Sequence, residues 1–89
     1  MTLDAESNRS LEFQLLQNTI DLVWALLNLA EELKTQSRGN DADEALESAR
    51  TSLLKAKRQS SQLSPDETAT AAPSLELLGD VLKSIAALP

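Results

Sequence analysis

The sequence predicts an all-α fold: an antiparallel helical hairpin followed by a third, C-terminal helix, together a three-helix bundle with apolar surface left for self-association. Three observations lead there. No stretch alternates apolar and polar residues for long enough to make a strand, and β-branched residues are sparse. Apolar residues recur at spacings of three and four in three separate segments. The first two segments are separated only by the few residues around Gly39-Asn40-Asp41, and a connection that short folds a pair of helices back on itself. The 89 residues make one small domain, divided as a flexible N-terminus over 1–9, the hairpin over 10–63, a flexible linker or short helical turn over 64–73, and the C-terminal helix over 74–89.

The first helix is expected to begin between Asp4 and Ser10, with Ser7 or Ser10 as its cap, and to run to about Gln36. Gly39 stops it, with Lys34 and Arg38 near the negative end of its dipole. Asn40 or Asp41 caps the second helix, expected from about Ala42 to Gln62, and Asp41 with Glu44 has the acceptor spacing of a capping box. Ser64-Pro65-Asp66-Glu67 is a helix-start signal: a cap, proline at the first position, and Glu three residues after the serine. Pro73 then limits what can follow, so the third helix is expected from Leu75 to about Leu88, capped by Ser74.

The apolar faces are unequal. The first helix carries two stripes, Phe13-Leu16-Ile20-Val23-Leu27-Ala30 and Leu15-Leu22-Leu26-Leu29-Leu33, with Trp24 at the edge of the first. Together they cover roughly 200° of its circumference. The second helix offers one heptad seam, Ala42-Leu46-Ala49-Leu53-Ala56-Ser60-Leu63, with alternate positions small and Ala45 beside it. Small residues let two backbones approach closely, but a seam that narrow covers only one stripe. The third helix brings Leu75, Leu78, Val81, Leu82, Ile85 and Leu88 to one face. The second stripe is therefore covered either by this helix, giving a closed bundle, or by another chain. On that basis Leu22, Trp24, Leu26, Leu29, Leu33, Val81 and Ile85 are the candidate partner-binding residues.

Chemistry is scarce. The chain has no Cys, His or Tyr, which removes the usual thiol nucleophile, general base and zinc ligand. No catalytic residue, metal ligand set or cofactor motif can be assembled: neighbouring acids such as Glu31-Glu32 do not face each other on a helix, and GNDADE lacks calcium-loop spacing. A formal charge of −6 speaks against nucleic acid and against an anionic membrane surface. The longest apolar run, Leu22 to Leu27, is too short to span a bilayer, and MTLDAESNRS does not read as a signal peptide, so a cytoplasmic protein is expected. Arg50, Lys55, Lys57 and Arg58 form the one basic stretch, which reads as the complement of a helix C-terminus or as a docking patch for an acidic partner.

In size, acidity and helical-hairpin layout the chain resembles small bacterial antiactivators, those that sequester quorum-sensing transcription regulators. The likeness is one of overall shape, and no residue roles come with it. It implies a non-enzymatic regulator whose partner is another protein, a transcription regulator, bound through an apolar helix face. The alternative within the same class is a helical subunit or dedicated chaperone of a larger assembly. A small enzyme and a nucleic-acid binder are the readings from other classes, and the composition disfavours both.

Overall fold

A computed structural model describes the backbone of residues 3–88 and the side chains of residues 11–88. The described chain forms three helices: α1 Leu3–Thr35, α2 Gly39–Ser61 and α3 Pro65–Ala86. Each connection is three residues long, so α1 and α2, and then α2 and α3, pack as antiparallel neighbours. The C-terminal ends of α1 and α3 meet: Lys34 Nζ donates to the carbonyls of Ala86 (3.3 Å) and Leu88 (2.6 Å). The bundle is thus up-down-up, with α1 and α2 in the most extensive contact. Its extents of 56 × 17 × 15 Å are those of a rod about as long as α1.

The α1–α2 turn differs from the expected one. α1 ends at Thr35, and the chain reverses at Ser37, two residues before Gly39, whose place in the turn it takes with a left-handed φ of 61°. Ser37 N–H donates to the Lys34 carbonyl (3.1 Å) and Arg38 N–H to the Leu33 carbonyl (2.9 Å), the paired bonds of a Schellman motif with serine in glycine's usual place. With the chain already reversed, Gly39 is free to be the first residue of α2 and has no positive φ. Neither Asn40 nor Asp41 is the cap: Arg38 is, without a side-chain cap bond, and its guanidinium pairs instead with Asp41.

The α2–α3 connection also differs. Ser64 is the N-cap: its Oγ accepts from Glu67 N–H (3.4 Å) and donates to Glu67 Oε1 (3.0 Å), so the Glu67 carboxylate reaches back to the cap's hydroxyl rather than to its backbone N–H as in a full capping box. The helix it starts does not stop at Pro73, so residues 65–73 are part of α3 rather than a linker, and Ser74 lies inside the helix. Proline in a helix interior removes one hydrogen bond, and here the carbonyl left without a donor belongs to Ala69, which is exposed, as is Pro73 itself. The buried face continues through the proline, since Ala71, Leu75, Leu78, Leu82 and Ile85 repeat at four and three. Thr68 Oγ1 ties the first turn of α3 to the Ser60 carbonyl (2.8 Å). Packing on both sides of Pro73 outweighs the local penalty.

At the N-terminus, α1 begins at Leu3, ahead of the expected caps Ser7 and Ser10, so residues 3–9 of the expected flexible segment are helical; Met1 and Thr2 lie outside the described residues. The core is built from the first stripe of α1 (Leu16, Ile20, Val23, Leu27, Ala30), the α2 seam from Ala42 to Ser60 with Ala45, and the α3 face. Phe13 is only half-buried at the edge, and Leu63 is packed against the core from the turn.

Candidate functional site

The second stripe of α1 is where sequence and structure part. A closed bundle with α3 over this stripe does not form. Leu15, Leu22 and Leu29 remain 49%, 51% and 46% exposed, and Leu11 joins them at 54%. At 100° per residue these four lie within roughly 40° of one another, so they form one line along the helix. Leu26 is half-buried beside them, and Leu33 is buried where the line meets α2. Thr19, also buried, sits between Leu15 and Leu22 and returns its hydroxyl proton to the Leu15 carbonyl (3.1 Å), so it adds no unmet polar group.

The physical reason is the direction in which α3 packs. It lies against the first stripe and the α2 seam, on the side of the hairpin away from the second stripe. The grooves flanking the exposed leucines contain residues of α1 and α2 and none of α3. Toward the α1–α2 turn, a groove of about 400 Å³ has Leu26, Leu29 and Leu33 on one wall and Asp41, Glu44, Ala45 and Ser48 on the other. Toward the opposite end, a smaller recess of about 110 Å³ lies between Glu12 and Leu15 of α1, Gln59 of α2 and Gln62, the residue just after α2. The Gln59 side-chain oxygen is buried there without a hydrogen-bond partner among the described residues. In the larger groove the small residues of the α2 wall are Ala45 and Ser48, and they stand among the longer Asp41 and Glu44 and beside Arg38 of the turn.

The seven candidate residues divide accordingly. Leu22 and Leu29 are on the exposed face, and Leu26 is half-buried at its margin. Leu33 and Ile85 are core residues, 8% and 4% exposed, so neither is open to a partner. Trp24 and Val81 are partly buried against the core and lie off the leucine line. The two α3 residues lie at the core because α3 turns its apolar face toward the hairpin. Leu11 and Leu15 belong to the face as well; the spacing Leu15-Leu22-Leu29 is the signal for Leu15, and Leu11, four residues before Leu15 and inside the expected helix, continues the same line.

Elsewhere the surface is less organised. Leu54 and Leu77 are half-exposed singly, which is ordinary for a folded protein surface. In the basic stretch, Arg50 pairs with Glu47 (2.8 Å), while Lys55, Lys57 and Arg58 are exposed along the α2 surface. A groove of about 500 Å³ between α2 and α3 carries Lys57 and Lys83 against Glu76 and Asp80, a balanced set with no net preference for an ion. Among the described residues no group of three or more His, Cys, Asp or Glu could hold a metal ion, and no helix is long and apolar enough to cross a membrane. Set against known protein families, curated proteins and solved structures, the chain matches none.

Proposed function

We propose that this protein is a non-enzymatic interaction module that binds another protein through the leucine face of α1, as a regulator of the antiactivator type. The observation that carries the reading is the line of half-exposed leucines, Leu11, Leu15, Leu22 and Leu29, on a fold whose own third helix packs elsewhere. An exposed contiguous line of apolar side chains is often functional in a small protein. The groove beside it suits an amphipathic helix with apolar anchors at i, i+3 or i+4, and i+7. Asp21 and Glu32 along the outer edge and Glu44 on the α2 wall favour a partner helix with basic flanks, while Asp41 in the same groove is already paired with Arg38. A transcription regulator as the partner, held in an inactive complex, rests on the resemblance in size, acidity and helical layout to small antiactivators of quorum-sensing regulators.

The test is affinity capture from the native organism with three baits: the unaltered chain, Leu22→Glu, and Leu54→Glu as a control on the opposite side of the hairpin. A protein retained by the first and third baits and lost by the second is the expected result. Adding the chain to that protein's DNA complex should then release the DNA. Equal retention by all three baits would remove the leucine face as the binding surface. Retention of a protein with no DNA-binding activity would leave the face and remove the antiactivator role.

A further inference from the structure

We propose that the outer face of α2 around Leu54 is a second docking surface, whose occupant is a short acidic segment of another protein: a run of Asp or Glu side chains with an apolar residue among them. This surface is separate from the leucine face of α1 and does not depend on what binds there.

The first observation is the segregation of charge. Arg50, Lys55, Lys57 and Arg58 stand in a stretch without a single acid, while the other four cations of the chain are set against all 14 of its acids. All four are exposed, and so is Leu54, at 51%. At 100° per residue Arg50, Lys57 and Arg58 lie within roughly 60° of Leu54, and Lys55 lies roughly 100° away. The result is an exposed leucine with one cation before it on the face, two after it and one beside it.

The second observation is that the fold itself makes little use of these cations. A cation complements the helix dipole only within the last turn, and of the four only Arg58 stands there. Arg50 pairs with Glu47 (2.8 Å), but both side chains are exposed, and such a contact exchanges readily for another carboxylate. Lys57 borders the α2–α3 groove that also holds Glu76 and Asp80. Among the described residues neither Lys55, Lys57 nor Arg58 makes an ion pair. Lys55 and Arg58 are the two most open to a partner.

Extent and composition select the occupant. From Arg50 to Arg58 the strip is roughly 12 Å long at the helical rise. Asp43 and Glu47 continue the same exposed face toward the start of α2. A nucleic-acid duplex or an anionic membrane is an extended array of negative charge. Either would meet those acids as well as the cations, and phosphates offer nothing to Leu54. A short acidic segment stays within the strip: its carboxylates reach the cations, and its apolar side chain rests on Leu54. Complementary charge of this kind governs partner choice and encounter rate more than affinity, so binding is weak and salt-sensitive.

The test is titration of the isotope-labelled full chain, followed by backbone amide NMR, with a peptide of about ten residues, all glutamate except for leucines at its centre. Shifts centred on residues 50–58 are expected, with a dissociation constant of about 10–500 µM at low salt that weakens about fivefold or more at 0.3 M salt. Lys55→Glu combined with Arg58→Glu should keep helical circular dichroism, lose this peptide and bind the one in which lysine replaces every glutamate. A merely structural role for the cations would not reverse the preference. Should the reversal unfold the chain, Lys55→Gln combined with Arg58→Gln carries the same loss of binding. Leu22→Glu should leave the titration unchanged, whatever becomes of the partner of the leucine face. Absence of shifts at millimolar peptide overturns the proposal, and so do shifts centred on the leucine face of α1. Equal binding of the leucine-free peptide removes Leu54, and with it the stated occupant. Tighter binding of a DNA duplex or of phosphatidylserine vesicles than of the peptide overturns it in favour of a phosphate-binding surface.

Discussion

At Ser37 the chain adopts a left-handed conformation that costs a residue with a Cβ roughly 1–2 kcal/mol, and two backbone bonds of the Schellman turn hold it there. Glycine carries no such steric cost but loses more backbone freedom on folding. Ser37→Gly is therefore expected to stabilise the protein by about 0.5–1 kcal/mol, raising the melting temperature by a few degrees. An unchanged or lower melting temperature would show that the turn is not strained. Two other single residues fasten the ends of α3: Ser64 through its reciprocal bonds with Glu67, and Lys34 through the carbonyls of Ala86 and Leu88. Ser64→Ala should cost about 1 kcal/mol in thermal melts, the usual value of a lost N-cap.

On the scale of the element, α1 has two apolar faces with different consequences. Leu27 is fully buried and Leu22 is half exposed. Leu27→Ala is expected to cost about 3–5 kcal/mol, a transfer and cavity term together. Leu22→Ala should cost the isolated fold no more than about 1 kcal/mol, measured where the chain is monomeric. Comparable losses would mean that both faces are core. α2 makes its contact through alanines: Ala49 and Ala56 are fully buried. Ala49→Leu or Ala56→Leu should destabilise by roughly 1–3 kcal/mol, because added methylenes force the backbones apart, and melts unchanged for both would contradict the close seam. α3 tolerates Pro73 in its interior with the ring exposed. Pro73→Ala should stabilise by about 1–3 kcal/mol, the helix-propensity gain less the entropy that proline removes from the unfolded chain.

For the whole molecule, stability depends on α3 closing one side of the hairpin only. The α1–α2 pair buries the α2 seam against the first stripe of α1, and α3 covers what that seam leaves open. A chain ending at Leu63 uncovers the surface on which Ala71, Leu75, Leu78, Leu82 and Ile85 rest, and two helices of this length have little core of their own. It is expected to lose cooperative unfolding, followed by circular dichroism and by the emission of Trp24, the sole tryptophan. A truncated chain that still melts in one sharp transition would show that the hairpin folds alone. The side opposite α3 is the open one, and there Leu11, Leu15, Leu22 and Leu29 stay about half exposed.

The number of helices, their antiparallel order, the alanine seam, the Ser64 cap and the division of α1 into two stripes could all be read from spacing, because helical periodicity and capping are local properties of the chain. The stopping points could not. Gly39 and Pro73 are strong local signals, yet Ser37 makes the turn and the helix runs through Pro73, since bonds and packing around those sites outweigh intrinsic preference. Nor could the sequence say which stripe of α1 is core. Both are leucine-rich and both have helical spacing, and the choice belongs to the side on which α3 packs. That side is set by non-local packing of α3 onto α1 and α2 together, which leaves Leu15, Leu22 and Leu29 in solvent and places Leu33 and Ile85 inside.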